Sequence, residues 1–303
     1  MANHVEVTSV PEWAAAGRAG GARSRLGALV GFARRKPLGA VGAVIILALF
    51  VMAVFAEWIA PYAYDEQIPG ARLKPPGLGF LLGTDNVSRD VFSRIVYGAR
   101  VTVTVSFATV LLGNLLAAAV GITSGYFRGR YDIAVQRVVD AWQSFPFLII
   151  ILSLLAVLGP GMPNVILSLS ILVAAAASRV IRGATLSVVE NQYVEAARAL
   201  GAGHARIMLR HILPNVMATI VVITTIGLGG IILAESALSF LGYGVPPPHP
   251  SWGSMLSGSG RTYMYVAPWM AIWPGVAISA VVFAFNMLGD ALRDVLDPRL
   301  RGR

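Results

Sequence analysis

The chain contains no cysteine, only two lysines among its 303 residues, and long stretches without any charge. Each shortage removes a class of function. Without cysteine there is no disulfide framework, thiol nucleophile or thiolate metal site. Lys36 and Lys74 both precede proline, and neither follows the glycine pattern of a phosphate-binding loop, so any ATP hydrolysis must occur on another chain. No Gly-x-Ser-Gly occurs, and His4, His204, His211 and His249 fall in loops or tails, which leaves no membrane-embedded base for serine-protease chemistry. The seven-residue spacing of His204 and His211 across a glycine is poor geometry for a metal pair, and no cofactor site is expected in this chain.

Five windows carry no Asp, Glu, Lys or Arg: Pro37 to Ala56, Val101 to Phe127, Ala141 to Ser178, Ile212 to Ala234 and Thr262 to Gly289. Carriers driven by protons or sodium usually keep ionisable side chains at mid-depth, where each costs ~2.5 to 3.5 kcal/mol on insertion scales. Here Glu57, Asp140 and Glu235 read as interface positions instead. An ion-coupled secondary carrier is disfavoured and stands as the rival class.

What is present is apolar surface. At 56% hydrophobic residues, 13% charged residues and a mean hydropathy of +0.70, the chain exposes more apolar area than a soluble domain of this size can hide. The third window is long enough for two spans and is broken by Gly159-Pro160-Gly161-Met162-Pro163, so six helices of about 20 residues are predicted. They are Leu38 to Ile59, Val101 to Ile122, Val138 to Leu158, Asn164 to Ile181, Asn215 to Leu238 and Pro268 to Leu288. With both termini inside, the cytoplasmic pieces hold 18 of the 24 Lys and Arg and the outer loops six, the bias that inner loops show. The net charge of +9 therefore reflects topology and contact with anionic lipid at the inner leaflet, and not nucleic-acid binding. The first span has no cleavage site and reads as a retained anchor behind a mobile tail. Trp58, Trp269 and Trp273 fall at the proposed outer interface, where amphipathic rings belong.

Between Gln192 and Asn215 the sequence reads QYVEAARALGAGHARIMLRHILPN, a charged segment between two apolar ones. Its pattern predicts two short helices around a glycine elbow: Tyr193, Ala197 and Leu200 on one face, Gly201 ending the first helix, and Pro214 opening the next span. Glu195-Ala196-Ala197, with Gly201 six residues after the Glu and a closing Leu213-Pro214, resembles the EAA loop of ABC importer permeases. LLGTDNVSRDVFSRIVYGARVTV (Leu81 to Val103), AESALSFLGYGVPPPHPSWGSML (Ala234 to Leu256) and APWMAIWPGVAISAVVFAFNMLGDALRDVLDPRL (Ala267 to Leu300) are similar to the C-type permease subunit of the dipeptide, oligopeptide and nickel importers. Ser88 departs from that pattern where glycine is usual, Tyr243 where Leu is frequent, and His211 replaces an Ile of the general EAA motif.

The resemblance implies an all-α membrane protein with cytoplasmic termini and the type I, MetI-like permease fold. It divides the chain into a cytoplasmic tail (1–37), a first span (38–59), an outer loop (60–100), a five-helix core (101–290) with the coupling loop at 187–214, and a cytoplasmic tail (291–303). It further implies a homologous second permease, two cytoplasmic ATPase domains carrying ATP and Mg, and an extracytoplasmic solute-binding protein. Glu195, Ala196, Ala197, Arg198, Leu200, Gly201 and His204 are the implied ATPase-coupling residues. Asn114, Thr224, Thr225, Ser279 and Asn286 are polar groups within spans, either lining a translocation path or joining helices. On the outer face, Asp85, Arg89, Trp252 and Arg261 are candidates to receive the binding protein, with Asp85 alternatively capping a short helix and Trp252 alternatively packing on its own helices. Peptides are the expected solute, with nickel, glutathione or another small solute as alternatives.

Overall fold

The computed structural model describes residues 31, 33–34 and 36–296. The predicted amino-terminal tail lies almost wholly outside the described residues, as do residues 297–303 of the other tail. Pro37, whose fixed φ suits a first helical turn, opens α1 (Pro37–Val54), and a break at Phe55 separates it from the short α2 (Ala56–Ile59). The helix α3 (Val91–Phe127) has 37 residues and so spans about 56 Å. It starts inside the predicted outer loop because Asp90 caps it, its carboxylate accepting from the Ser93 amide and hydroxyl, each at 2.7 Å.

The predicted third span is not one helix. An amphipathic α4 (Gly129–Gln143) meets the apolar α5 (Phe147–Leu158) at 89°, because Pro146 supplies no amide and its ring pushes Phe145 out of helical conformation. Then follow α6 (Met162–Val189), α7 (Gln192–Ala199), α8 (His204–Ile207), a π turn (Met208–Ile212), α9 (Leu213–Phe240), α10 (Trp252–Leu256), α11 (Ser259–Thr262) and α12 (Trp269–Leu296). Among the described residues there are five helices long and apolar enough to cross a membrane, or six if the bent pair counts as one span. No strand longer than an isolated bridge occurs among them.

The most extensive helix packing is α3 against α6. A Cβ added at Gly113 would lie 2.6 Å from Val173 Cβ, at Gly121 2.6 Å from the Ser178 carbonyl oxygen, and at Gly125 2.9 Å from Thr185 Cβ. With buried Ala117 in the same four-residue series, these glycines form a groove into which α6 settles backbone to backbone. Across the molecule, Gly42 of α1 is equally tight on α12, where a Cβ would meet the Ala284 carbonyl oxygen at 2.6 Å. Lipid tails are as apolar as the side chains, so close van der Waals contact along such seams holds the bundle together.

The segment before α3 is fastened by its own polar groups. Asp85 Oδ1 accepts from the amides of Val87 and Arg89, both at 2.9 Å, and Arg89 Nε donates to Oδ2 at 2.6 Å. Asp85 thus closes a turn, and the helix-capping role expected of it belongs to Asp90. Ser88 sits at the apex with φ +66, the left-handed region that L-residues with a Cβ pay ~1 to 2 kcal/mol to enter. Ser88→Gly should therefore stabilise the protein by roughly 0.5 to 1 kcal/mol, after the greater unfolded-state freedom of glycine is deducted. Thermal unfolding in detergent reads this directly, and an unchanged or lowered midpoint would contradict the strain argument.

Candidate functional site

The charged segment folds as a compact elbow. The amide of Ala202 bonds the Ala197 carbonyl at 3.0 Å and that of Gly201 the Arg198 carbonyl at 2.9 Å, the double closure that a left-handed residue permits, and Gly201 has φ +78. The first helix ends there and α8 begins at His204. The π turn follows, with the Leu213 amide reaching back to the Met208 carbonyl. This widened turn absorbs Pro214, so helix runs without a stop from His204 to Phe240, and Asn215 Nδ2 holds the His211 carbonyl at 2.6 Å. The span expected to begin at Asn215 is thus continuous with the second half of the elbow.

One face of the elbow belongs to this chain. Val194 and Ala197 of α7 are buried with Ile207, Ile212 and Val216, above Ile122 and Tyr126 of α3 and Ile181 and Val189 of α6. The other face is open: Glu195, Ala196 and Gly201 are exposed, Leu200 is 88% exposed, and Arg198 and His204, although exposed, also touch Tyr126. The expectation that Tyr193, Ala197 and Leu200 share a face needs correction. Helical periodicity ends at Leu200, the cap residue, so Leu200 leans outward while Ala197 turns in. Ala197 is therefore a packing residue, and a carboxylate there would disrupt this chain's own core.

Near the elbow, α3, α4 and α6 are tied by Asp132. It accepts from Arg182 Nε at 2.6 Å, from Arg182 Nη2 and from Ser124 Oγ, and Gln136 Nε2 reaches Ser124 Oγ at 3.2 Å. Arg128 adds a contact to Glu190 at 3.2 Å. The hydrogen bonds from Arg182, first, and from Ser124 hold the Asp132 carboxyl below its usual range against the opposing effect of burial. A lowered folded-state value means that this stabilisation is fully present above the ordinary carboxylate range and fades as pH falls through the lowered value. Sequence reading passed over this cluster, because Asp132 and Arg182 are distant along the chain.

The candidate path residues mostly bond within the bundle. Asn114 Nδ2 donates to Thr224 Oγ1 at 2.6 Å, joining α3 to α9, and Thr224 bonds back to the Ile220 carbonyl. Thr225 and Asn286 likewise bond back to Val221 and Val282. Ser279 is exposed on α12. Asn114 and Thr224 nonetheless line, with Thr123, an open apolar groove of about 810 Å³ between α3 and α9, flanked by Phe107, Leu115 and Met217.

The four residues expected to receive a binding protein separate. Arg261 is exposed, Arg89 partly so, and Asp85 is buried with its oxygens occupied. Trp252 is fully buried, its Nε1 donating to the Ile95 carbonyl at 3.0 Å and its ring lying on Gly98. It has no face to offer a partner, and the role expected of it as a docking contact is replaced by packing of α10 onto α3. Trp252→Ala should destabilise the protein by roughly 3 to 5 kcal/mol, the loss expected when a buried Trp leaves a cavity. Yield and monodispersity after detergent extraction would report it; a variant extracted like the parent would restore the docking role. Glu235, expected at the interface, is also buried, with Oε1 accepting from Ser239 Oγ at 2.7 Å. Gly244 and Gly253 pack closely on Ser239 and Ser236 of the same helix end.

Comparison with known proteins places these features. A family described as "Binding-protein-dependent transport system inner membrane component" matches residues 113–302, and one described as "N-terminal TM domain of oligopeptide transport permease C" matches residues 33–76. The dipeptide transport system permease protein DppC of Alkalihalophilus pseudofirmus is 38% identical over 268 residues, covering 88% of each chain. The glutathione transport system permease protein GsiD of Escherichia coli O6:K15:H31 is 38% identical over 270 residues, covering 89% of each. Among solved structures, a chain of the inward-facing MetNI methionine ABC transporter superposes with a TM-score of 0.51 at 20% identity, over 67% of this chain and 96% of that one, a likeness of fold.

Proposed function

This chain belongs to the binding-protein-dependent transport system inner membrane components, a multi-pass family, and from that membership we propose that it forms half of the translocation path of an ATP-driven peptide importer. The observation that carries the mechanism is the two-sided elbow, packed on its own bundle through Val194 and Ala197 while presenting Glu195, Arg198 and Leu200 outward. In this reading a cytoplasmic ATPase grips the outward ridge. Leu200 is the apolar anchor and Glu195 and Arg198 are the polar flank, an arrangement typical of interface centres and rims. Closure of the ATPases on ATP pulls two such elbows together, one from this chain and one from a homologous permease, and because α8 runs on into α9 the pull enters the bundle without a flexible joint. The chain itself is non-catalytic, with ATP and Mg held on the ATPase chains. Solute arrives from an extracytoplasmic binding protein that meets the outer segment around Arg89 and Arg261.

Peptides are favoured as solute by the dipeptide relative, and glutathione, itself a small peptide, fits the same reading. The test is uptake into proteoliposomes holding the full complex. Transport should require ATP and the binding protein, whereas uptake by this chain alone on an ion gradient would establish the secondary-carrier reading instead. Leu200→Asp in the same complex should strip the ATPase from the purified permease pair, since a carboxylate would be driven into an apolar pocket. Retention of the ATPase with normal uptake would remove Leu200 from the interface.

A further inference from the structure

We propose that Tyr126 is the joint through which the elbow moves α3, a positioning residue that fixes both halves of the elbow to a helix not covalently attached to it. The inference rests on the coupling reading above and adds the route by which motion leaves the loop. Tyr126 is 6% exposed in the last turn of α3. Its Oη lies 2.8 Å from Nδ1 of His204, the residue that opens α8. The guanidinium of Arg198, in the last turn of α7, lies 5.1 Å from the centre of its ring. One side chain therefore touches the elbow on both sides of Gly201.

Such a joint is needed here. The chain connects the elbow directly to α6 and α9, and α3 is reached only across space. Nothing lies within 4 Å of where a Cβ on Gly201 would project, so no side chain braces the bend at that residue. A hydrogen bond and a cation over a ring face are both directional contacts, and together they set the elbow's angle against α3 in a way that apolar contact does not. Displacement transmitted to Tyr126 travels far, because α3 is one unbroken helix locked to α6 by its glycine seam and packed at its outer end beneath Trp252.

The test compares Tyr126→Phe, His204→Ala and the double variant in reconstituted complexes, reading solute transported per ATP hydrolysed. Phenylalanine keeps the packing and the ring face but loses the hydrogen bond to His204. Each single variant should lower transport per ATP about fivefold, the weight of one net hydrogen bond, and the double variant should be no worse than either. Unchanged transport per ATP in Tyr126→Phe overturns the proposal whatever His204→Ala does, and so do effects that multiply in the double variant, which would assign the two residues separate tasks. Loss of assembly in Tyr126→Phe would make Tyr126 a folding residue and overturn it as well. The Leu200→Asp complex separates the two levels: if it keeps its ATPase and its uptake, the coupling reading itself fails, and if it loses them while Tyr126→Phe is silent, only the joint fails.

Discussion

Gly121→Val is expected to leave little extractable protein. A Cβ at this position stands 2.6 Å from the Ser178 carbonyl oxygen and 3.0 Å from the Arg182 amide nitrogen. Both neighbours are helix backbone, which cannot rotate aside as a side chain can, so α3 and α6 must separate along their whole seam. Separation would also draw Asp132 from Arg182 and expose the buried Ser178 and Ile181. A destabilisation of roughly 3 kcal/mol or more follows, at the upper end for overpacking. Gly183 on α6 is the control, since nothing lies within 4 Å of its Cβ position. Extraction yield and thermal unfolding of Gly121→Val, Gly121→Ala and Gly183→Ala should rank in that order of damage. A well-behaved Gly121→Val would falsify the seam as the principal contact of the fold.

Gly201→Val should do the opposite, keeping the bundle and removing the function. No atom crowds the site, so the penalty lies in backbone conformation: φ +78 is open to glycine and strongly resisted by a β-branched residue. The cheapest escape is to unwind the double closure made by the Gly201 and Ala202 amides, at the exposed end of α7. That shifts Leu200 and Arg198 relative to Val194 and Ala197, and the ridge no longer matches its partner. The prediction is normal insertion and assembly of the permease pair with transport per ATP reduced tenfold or more, an order-of-magnitude expectation for a misaligned docking surface. Gly201→Asn, which tolerates left-handed backbone, should recover much of it. Equal transport in Gly201→Val and the parent would take the elbow's shape out of the mechanism.

The sequence by itself determined the class of this protein and the position of its elbow. Charge-free windows flanked by arginine can be satisfied only by helices in lipid, and the glycine after a short amphipathic helix announces a left-handed cap whatever surrounds it, because both follow from local chemistry. Motif similarity along Leu81 to Val103 and Ala234 to Leu300 extended this to the permease family, which the relatives bear out. The four-residue series Gly113, Ala117, Gly121 and Gly125 was also present as a signal, and spacing alone marks it as a contact stripe, although not which helix fills it.

Only tertiary structure decided the rest. Whether Ala197 faces a partner or the chain's own core depends on where α3 and α6 stand, and helical periodicity is silent on which of its faces is covered. Trp252 reads as an exposed anchor in a proline-rich loop until the Ile95 carbonyl and the bare backbone of Gly98 appear opposite it. Glu235 reads as an interface charge, yet it is fully buried and bonded to Ser239. Asp132 with Arg182, and Tyr126 with His204 and Arg198, are contacts made where helices meet near the elbow, and no one-dimensional pattern carries a contact between residues so far apart in the chain. Local conformation is set by near neighbours in sequence, whereas the direction a side chain faces is set by whatever the fold brings against it.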